Sequence, residues 1–284
     1  MGLRLIYGRA GTGKSEKCYK EISEKIKQNN KILIITPEQF SFTAEKKLME
    51  AIETEAVFNA EVVTFSRMAY RVIQEIGGRT ETNLSKCGKA MLIYSILNNC
   101  KKDLKFLGKT DENVDMAGTA ITEFKKHGIS VEQLKQETEK QSDIYLKNKL
   151  NDINMIYEKF QEQIAGKYID ETDLLTILAQ NVDKVPDFKE NLIYIDEFAG
   201  FTSQEYHIIE KLIQIAKQVT ITICTDTIHE IKNADTDIFY SNQITINKLL
   251  QLASENDIKI EEVELEQTYR FKTPELKHLE QNLY

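Results

Sequence analysis

The chain is expected to fold as an α/β domain: a parallel sheet with helices on both faces, interrupted by an all-helical insertion. Three observations predict it. Strand-like runs alternate with helical patterns from residue 1 to about 80. They vanish from about 84 to 166 and then return. A glycine-rich turn, Gly8-Arg9-Ala10-Gly11-Thr12-Gly13-Lys14-Ser15, joins the first strand to the first helix and fits G-x-x-x-x-G-K-[ST] at every fixed position. Residues 1–83 and 167–284 are assigned to the sheet domain, and 84–166 to the inserted helical subdomain.

Each element has its own signal. Leu3-Arg4-Leu5-Ile6-Tyr7 reads as a short buried strand, and Ser15 to Lys27 as a helix with Cys18, Tyr19, Ile22 and Ile26 on one stripe. Ile32–Thr36 and Val62–Phe65 supply two more strands, each followed by a helical pattern. From Asp143 to Ala165, Leu146, Leu150, Ile153, Tyr157, Phe160 and Ile164 form an apolar seam at helical period, ended by Gly166. Strands resume at Leu192–Asp196, at Val219–Thr225 with Val219, Ile221 and Ile223 alternating, and at Ile258–Leu265. Pro37, Pro186 and Pro274 fall outside helix interiors.

Composition narrows the class. With 284 residues, 41% hydrophobic and 29% charged, the chain can bury a sizeable core and divides into two units. No stretch approaches the roughly 18 consecutive apolar residues of a membrane span. The N-terminus runs straight into the glycine-rich loop, so a cytoplasmic protein without a signal peptide is expected. Cys18, Cys87, Cys100 and Cys224 contain no C-x-x-C pair and read as buried reduced thiols. A net charge of -8 argues against a protein that simply coats nucleic acid.

The loop pattern carries a mechanism. Small residues let successive backbone N–H groups turn inward around a phosphate at a helix N-terminus, where the helix dipole favours negative charge. In a phosphate-binding loop of this kind Lys14 reaches the β/γ-phosphates and the Ser15 hydroxyl holds Mg²⁺. A second signal is Leu192-Ile193-Tyr194-Ile195-Asp196-Glu197. A buried strand ending in two acids places them at the sheet edge where open α/β sheets bind ligands. Asp196 is then the Mg²⁺ partner and Glu197 the group that activates an attacking water. Alone, such a strand end is an ordinary solvated one; beside the loop it becomes functional. The expected class is therefore a P-loop NTPase (RecA-like) sheet with ATP and Mg as cofactors.

The order of segments resembles the first motor domain of UvrD-type, superfamily 1 helicases. Ile32–Thr36 sits where that family first contacts DNA. Val63-Thr64-Phe65-Ser66 is similar to its T-F-H-S segment, and Gly166-Lys167-Tyr168-Ile169-Asp170-Glu171-Thr172-Asp173-Leu174-Leu175 resembles the D-F-x-D-L-L stretch before the acidic strand. Glu266-Gln267-Thr268-Tyr269-Arg270 looks like N-Y-R, which implies a base-packing role for Tyr269 and a γ-phosphate contact for Arg270. Departures narrow the resemblance. Asp196-Glu197-Phe198-Ala199-Gly200 lacks the glutamine of D-E-x-Q-D, and Thr225-Asp226-Thr227-Ile228-His229 lacks the Gly and Gln of G-D-x-x-Q. The first strand starts at Leu3, which leaves no place for an adenine-reading glutamine. Phosphate-binding residues persist while coupling residues are lost.

That mixture is similar to the AddB (RexB-like) family, with Thr36-Pro37-Glu38-Gln39-Phe40-Ser41 as further support. The resemblance implies a subunit of an ATP-dependent DNA helicase–exonuclease that processes double-strand breaks, as a degraded motor without helicase activity of its own. It implies an AddA-type partner in a heterodimer and DNA bound only weakly by this part alone. The family's nuclease domain and iron–sulfur cluster are expected only in a longer protein, so the four cysteines are not assigned to a cluster. The alternatives are a nucleotide-binding scaffold without turnover and a free-standing P-loop ATPase unrelated to DNA.

Three further features have two readings each. The seam from Leu146 to Ile164 reads as packing on its own domain, the alternative being a partner helix. The lysine pairs at 46–47, 101–102 and 125–126 read as solvated helix faces, the alternative being a phosphate track. Phe40, Phe42 and Phe65 read as core residues, the alternative being base-stacking platforms.

Overall fold

The computed structural model describes residues 2–52, 59–78, 80–107, 113–229 and 237–282. In chain order its elements are β1 (Leu3–Gly8), α1 (Lys14–Lys27), β2 (Ile32–Ile35), α2 (Ser41–Ile52), β3 (Ala60–Val63), α3 (Phe65–Glu75) and β4 (Thr82–Asn83). Then come α4 (Lys86–Asn99), α5 (Asn113–Lys126), α6 (Val131–Glu139), α7 (Ile144–Ile164), β5 (Tyr168–Ile169), α8 (Glu171–Asn181) and α9 (Pro186–Glu190). The remainder is β6 (Leu192–Ile195), α10 (Ser203–Ile215), β7 (Gln218–Cys224), α11 (Tyr240–Glu255), β8 (Ile260–Glu264) and α12 (Pro274–Asn282). The chain forms two compact units, one of Met1–Ile76, Leu178–Phe201 and Glu205–Tyr284, the other of Gly77–Ile177 and Thr202–Gln204. Among the described residues no helix is long and apolar enough to cross a membrane.

The first unit is built on a six-stranded, all-parallel sheet in the order β3-β2-β6-β7-β1-β8. Parallel strands are covered on both faces, which is why β2 reads as an unbroken apolar run. Ile32 and Ile34 pack with Cys18, Tyr19 and Ile22 of α1 and Ala44 and Leu48 of α2. Leu33 and Ile35 alternate to the opposite face and are equally buried. The register sets Gly8 of β1 opposite Cys224 of β7 and Ile195 of β6 opposite Ile221. The chain segments after β1, β6 and β7 therefore emerge at one edge of the sheet.

Two expected strands shift, each for a local reason. The strand expected at Val62–Phe65 is Ala60–Val63, because Thr64 caps α3 by accepting a hydrogen bond from the Arg67 N–H at 3.2 Å, and Phe65 opens the helix. The strand expected from Ile258 begins at Ile260. The Ile258 N–H is spent on the carbonyl of Ala253, closing the end of α11.

The second unit is helical apart from the short parallel pair β4–β5. Ile93, Ile96 and Leu97 of α4, Ala117 and Ile121 of α5 and Leu134 of α6 converge on Ile153, Ile156, Tyr157, Phe160 and Ile164 of α7. The apolar seam thus packs within its own unit from Leu150 onward, while Ile144, Tyr145 and Leu146 are exposed. Asp143 is the N-cap of α7, accepting from the Tyr145 N–H at 2.8 Å and the Leu146 N–H at 3.4 Å. Asp143→Ala is expected to lower stability by about 1 kcal/mol in denaturant titrations. Asp152, between the seam residues Leu150 and Ile153, is buried for a reason no periodicity shows. Its buried carboxylate accepts N–H groups from Lys105, Phe106 and Leu107, at 3.1, 2.6 and 2.9 Å, and so ties down that turn.

One lysine pair contradicts the solvated-face expectation. Lys125 is buried, its ammonium 2.8 Å from Asp173 and 3.3 Å from Asp170, while Lys126 remains half-exposed beside Glu123. Lys89 of α4 also reaches Asp170, at 2.8 Å. The D-E-T-D-L-L stretch therefore seats two carboxylates against lysines of α4 and α5, within one unit. The cysteine expectation holds for Cys18 and Cys100, but Cys87 is exposed and Cys224 partly so.

Candidate functional site

The glycine-rich turn takes its shape from two glycines with positive φ. Gly13, at φ 81°, is the N-cap of α1, so the helix begins at Lys14 with its first N–H groups facing the loop. Gly11, at φ 80°, lies so close to the neighbouring segment that a Cβ there would run into the Cβ of Arg270. The Tyr269 N–H donates to the Gly11 carbonyl at 2.8 Å, and the Leu265 N–H donates to the Tyr7 carbonyl at 2.8 Å. Residues 265–270 thus run along the loop, as a continuation of β8, which pairs with β1.

Lys14 lies inside this cradle. Its ammonium donates to the carbonyls of Gly8 at 2.7 Å and Arg9 at 2.9 Å. Burial lowers its pKa from the ordinary lysine value, outweighing the attraction of Cys224, Asp196 and Glu197; nearby Arg270 pushes the same way. Arg9 points elsewhere. Its guanidinium is 2.7 Å from Glu280 of α12 and 5.2 Å from the centre of the Phe239 ring. Thr12, buried, donates to the Arg9 carbonyl at 2.9 Å and stiffens the turn.

The acidic pair stands at the end of β6. Asp196 is buried; its Oδ1 accepts a hydrogen bond from Thr222 of β7, and its Oδ2 has no partner. Glu197 adopts a left-handed backbone, φ 67°, which costs a non-glycine residue of order 1 kcal/mol. Its Oε1 is 3.5 Å from the Ser15 hydroxyl and 3.2 Å from the ammonium of Lys47. Ala10, Gly11, Gly13, Lys14, Ser15, Glu197, Tyr269 and Arg270 all line one open cleft of about 1130 Å³. Loop, lysine, hydroxyl, carboxylate, aromatic ring and guanidinium are thereby brought to a single cavity.

Among the described residues no group of three His, Cys, Asp or Glu is placed to hold a metal. Oxygen donors near the loop include the Ser15 hydroxyl, the Glu197 carboxylate 3.5 Å from it, and the unpartnered Oδ2 of Asp196, which is buried and does not itself line the cleft. Such a hard, sparse donor set suits Mg²⁺, which takes one or two carboxylates and completes its shell with waters and substrate phosphates. Lys47, which reads as part of a solvated pair, and Cys224 are among the cleft residues that carry no functional signal in the sequence. Nothing in a one-dimensional pattern marks either residue. Of the three phenylalanines, Phe65 is core, 5.6 Å from the Phe198 ring, whereas Phe42 is exposed.

The family model described as ADDB, N-terminal, matches residues 5–280. The chain is 42% identical over 297 residues to the B subunit of the ATP-dependent helicase/deoxyribonuclease of Clostridium tetani (strain Massachusetts / E88), covering all of this chain and 26% of that protein. It is 39% identical over 294 residues to the same subunit from Clostridium botulinum (strain Hall), with the same coverage. The corresponding protein of Thermoanaerobacter sp. (strain X514) is 39% identical over 293 residues, with 25% of that protein covered. The chain therefore spans about a quarter of the length of these curated relatives, and matches them from end to end of its own sequence. A family match over nearly every residue, loop and acidic strand included, shows that the chain belongs to the AddB N-terminal family.

Proposed function

We propose that this chain is the nucleotide-binding, helicase-like part of the B subunit of an ATP-dependent helicase–deoxyribonuclease. Its six-stranded sheet is read as a RecA-like P-loop core. The observation that carries this reading is that Ala10, Gly11, Gly13, Lys14, Ser15, Glu197, Tyr269 and Arg270 line one cleft at the edge of the parallel sheet, with the buried Asp196 beside Glu197 at the end of β6. The relatives' names, which specify an ATP-dependent enzyme of more than one subunit, support it.

The chemistry follows from the side chains. The loop N–H groups and the start of α1 bind the nucleotide phosphates. Lys14 exchanges its two carbonyl acceptors for phosphate oxygens, and Arg270 adds positive charge from the facing wall. Ser15 and Asp196 would hold Mg²⁺, which would supply charge neutralisation at the phosphates. Glu197 Oε1 is the acceptor for the proton of an attacking water. The exposed Tyr269 ring, adjacent to Gly13, offers a stacking surface for the base.

The same reading makes the chain a degraded motor that works beside an AddA-type subunit during break processing. Ala199, Gly200 and His229 occupy positions where the helicases carry coupling residues. Net charge of -8 leaves little surplus cation for phosphate neutralisation. Steady-state assays are expected to show slow ATP hydrolysis with little stimulation by single-stranded DNA. Fluorescence anisotropy on a short oligonucleotide should give a dissociation constant above about 10 µM at physiological salt, in the non-specific range. Brisk DNA-stimulated turnover, abolished by Glu197→Gln, would refute the degraded-motor reading, and nanomolar DNA binding by the chain alone would refute the dependence on a partner.

A further inference from the structure

Lys47 is a cation of the cleft that the G-x-x-x-x-G-K-[ST] pattern does not account for. Ala44, Leu48 and Ile52 hold α2 against Cys18, Tyr19 and Ile22 of α1, and this packing leaves Lys47 lining the cleft. Its Nζ lies 3.2 Å from Oε1 of Glu197 and 5.9 Å from the centre of the Tyr19 ring. The same Oε1 is 3.5 Å from the Ser15 hydroxyl, so Nζ and that hydroxyl are at most about 7 Å apart. Glu197 bridges them from a left-handed backbone. A residue so constrained marks a position the surrounding structure over-determines.

We propose that Lys47 distinguishes a nucleoside triphosphate from a diphosphate. Without a terminal phosphate it stays paired with Glu197. With one, it turns its N–H groups to that phosphate and releases Oε1. The inference rests on the nucleotide-binding reading above. A terminal phosphate would sit beside the Ser15 hydroxyl, which is 3.5 Å from the same Glu197 Oε1 that Lys47 contacts. That position falls within the swing of a lysine already at most about 7 Å away. A doubly charged terminal phosphate attracts an ammonium more strongly than one half-exposed carboxylate does. A lysine, as a compact charge on a flexible stem, moves between partners more readily than an arginine fork. Lys14 is different: rooted in the loop and held by Gly8 and Arg9, it serves either nucleotide.

Calorimetric titrations of Mg·ATP and Mg·ADP into the 284-residue chain test this. Lys47→Met keeps most of the aliphatic stem and is expected to weaken ATP about tenfold or more, the size of one charge-assisted hydrogen bond, while leaving ADP within about twofold. Lys47→Arg should retain a preference for ATP. Lys14→Ala should weaken both nucleotides. If Lys14→Ala weakens both but Lys47→Met changes neither, or changes both equally, the role of Lys47 is overturned and the nucleotide site stands. If Lys14→Ala changes neither, the nucleotide reading itself is overturned, and this inference with it.

Discussion

Asp170→Ala is expected to destabilise the helical unit by about 3 kcal/mol, the low end of what removing one partner of a buried ion pair costs. The Oδ2 of Asp170 accepts from Lys89 at 2.8 Å, Lys125 at 3.3 Å and Thr172 at 3.1 Å. Its loss leaves the nearly inaccessible Lys125 ammonium with Asp173 and the Phe160 ring, 5.4 Å from its centre, and Lys89 with the Thr122 hydroxyl and the same ring at 5.5 Å. For a unit of this size the thermal midpoint should fall by roughly 10 °C or more. The network also has a pH signature. Burial pushes the Asp170 carboxyl up, but Lys125 and Lys89 together hold it below its ordinary value. A depressed carboxylate stabilises the fold above its unfolded pKa, and that contribution is lost as pH falls through the folded one. Wild type should therefore lose stability in acid, and Asp170→Asn should flatten that part of the profile. Unchanged thermal midpoints for both variants would show that the cluster is not a structural tie.

Lys14→Ala is expected to raise the dissociation constant for Mg·ATP roughly ten- to hundredfold, corresponding to about 1.5–3 kcal/mol for hydrogen bonds to a charged group. The ammonium already sits in the cradle, satisfied only by the Gly8 and Arg9 carbonyls and partly desolvated. A phosphate replaces neutral acceptors by charged ones in a site that has already given up much of its water. That gain is what the alanine forfeits. Equal binding by wild type and variant, or no binding by either at millimolar nucleotide, would mark the loop as a relic.

The sequence was most legible where chemistry depends on adjacent residues. Gly8 to Ser15 is a local device: glycine positions fix the turn, and the lysine and serine follow in the next helical turn. Strands β2 and β6 read equally well, because a parallel strand buried on both faces is apolar along nearly its whole length. The seam from Leu150 to Ile164 was legible for the same reason, since a helical period is a short-range pattern.

Roles fixed by partners distant in the chain were not legible. Lys47 and Lys125 each stand in a lysine pair that one-dimensional reading treats as a solvated face. Folding sets Lys47 against Glu197, 150 residues later, and buries Lys125 between Asp170 and Asp173. Asp152 carries no signal in the sequence, and its role appears only where three N–H groups from residues 105–107 close on its carboxylate. The sequence by itself determined the loop, the strands of the six-stranded sheet to within a residue or two, and the order of motifs, but not the short pair β4–β5. Only the tertiary structure decided which charges are buried and paired, because burial and charge pairing act through space, between residues that the chain's order keeps far apart.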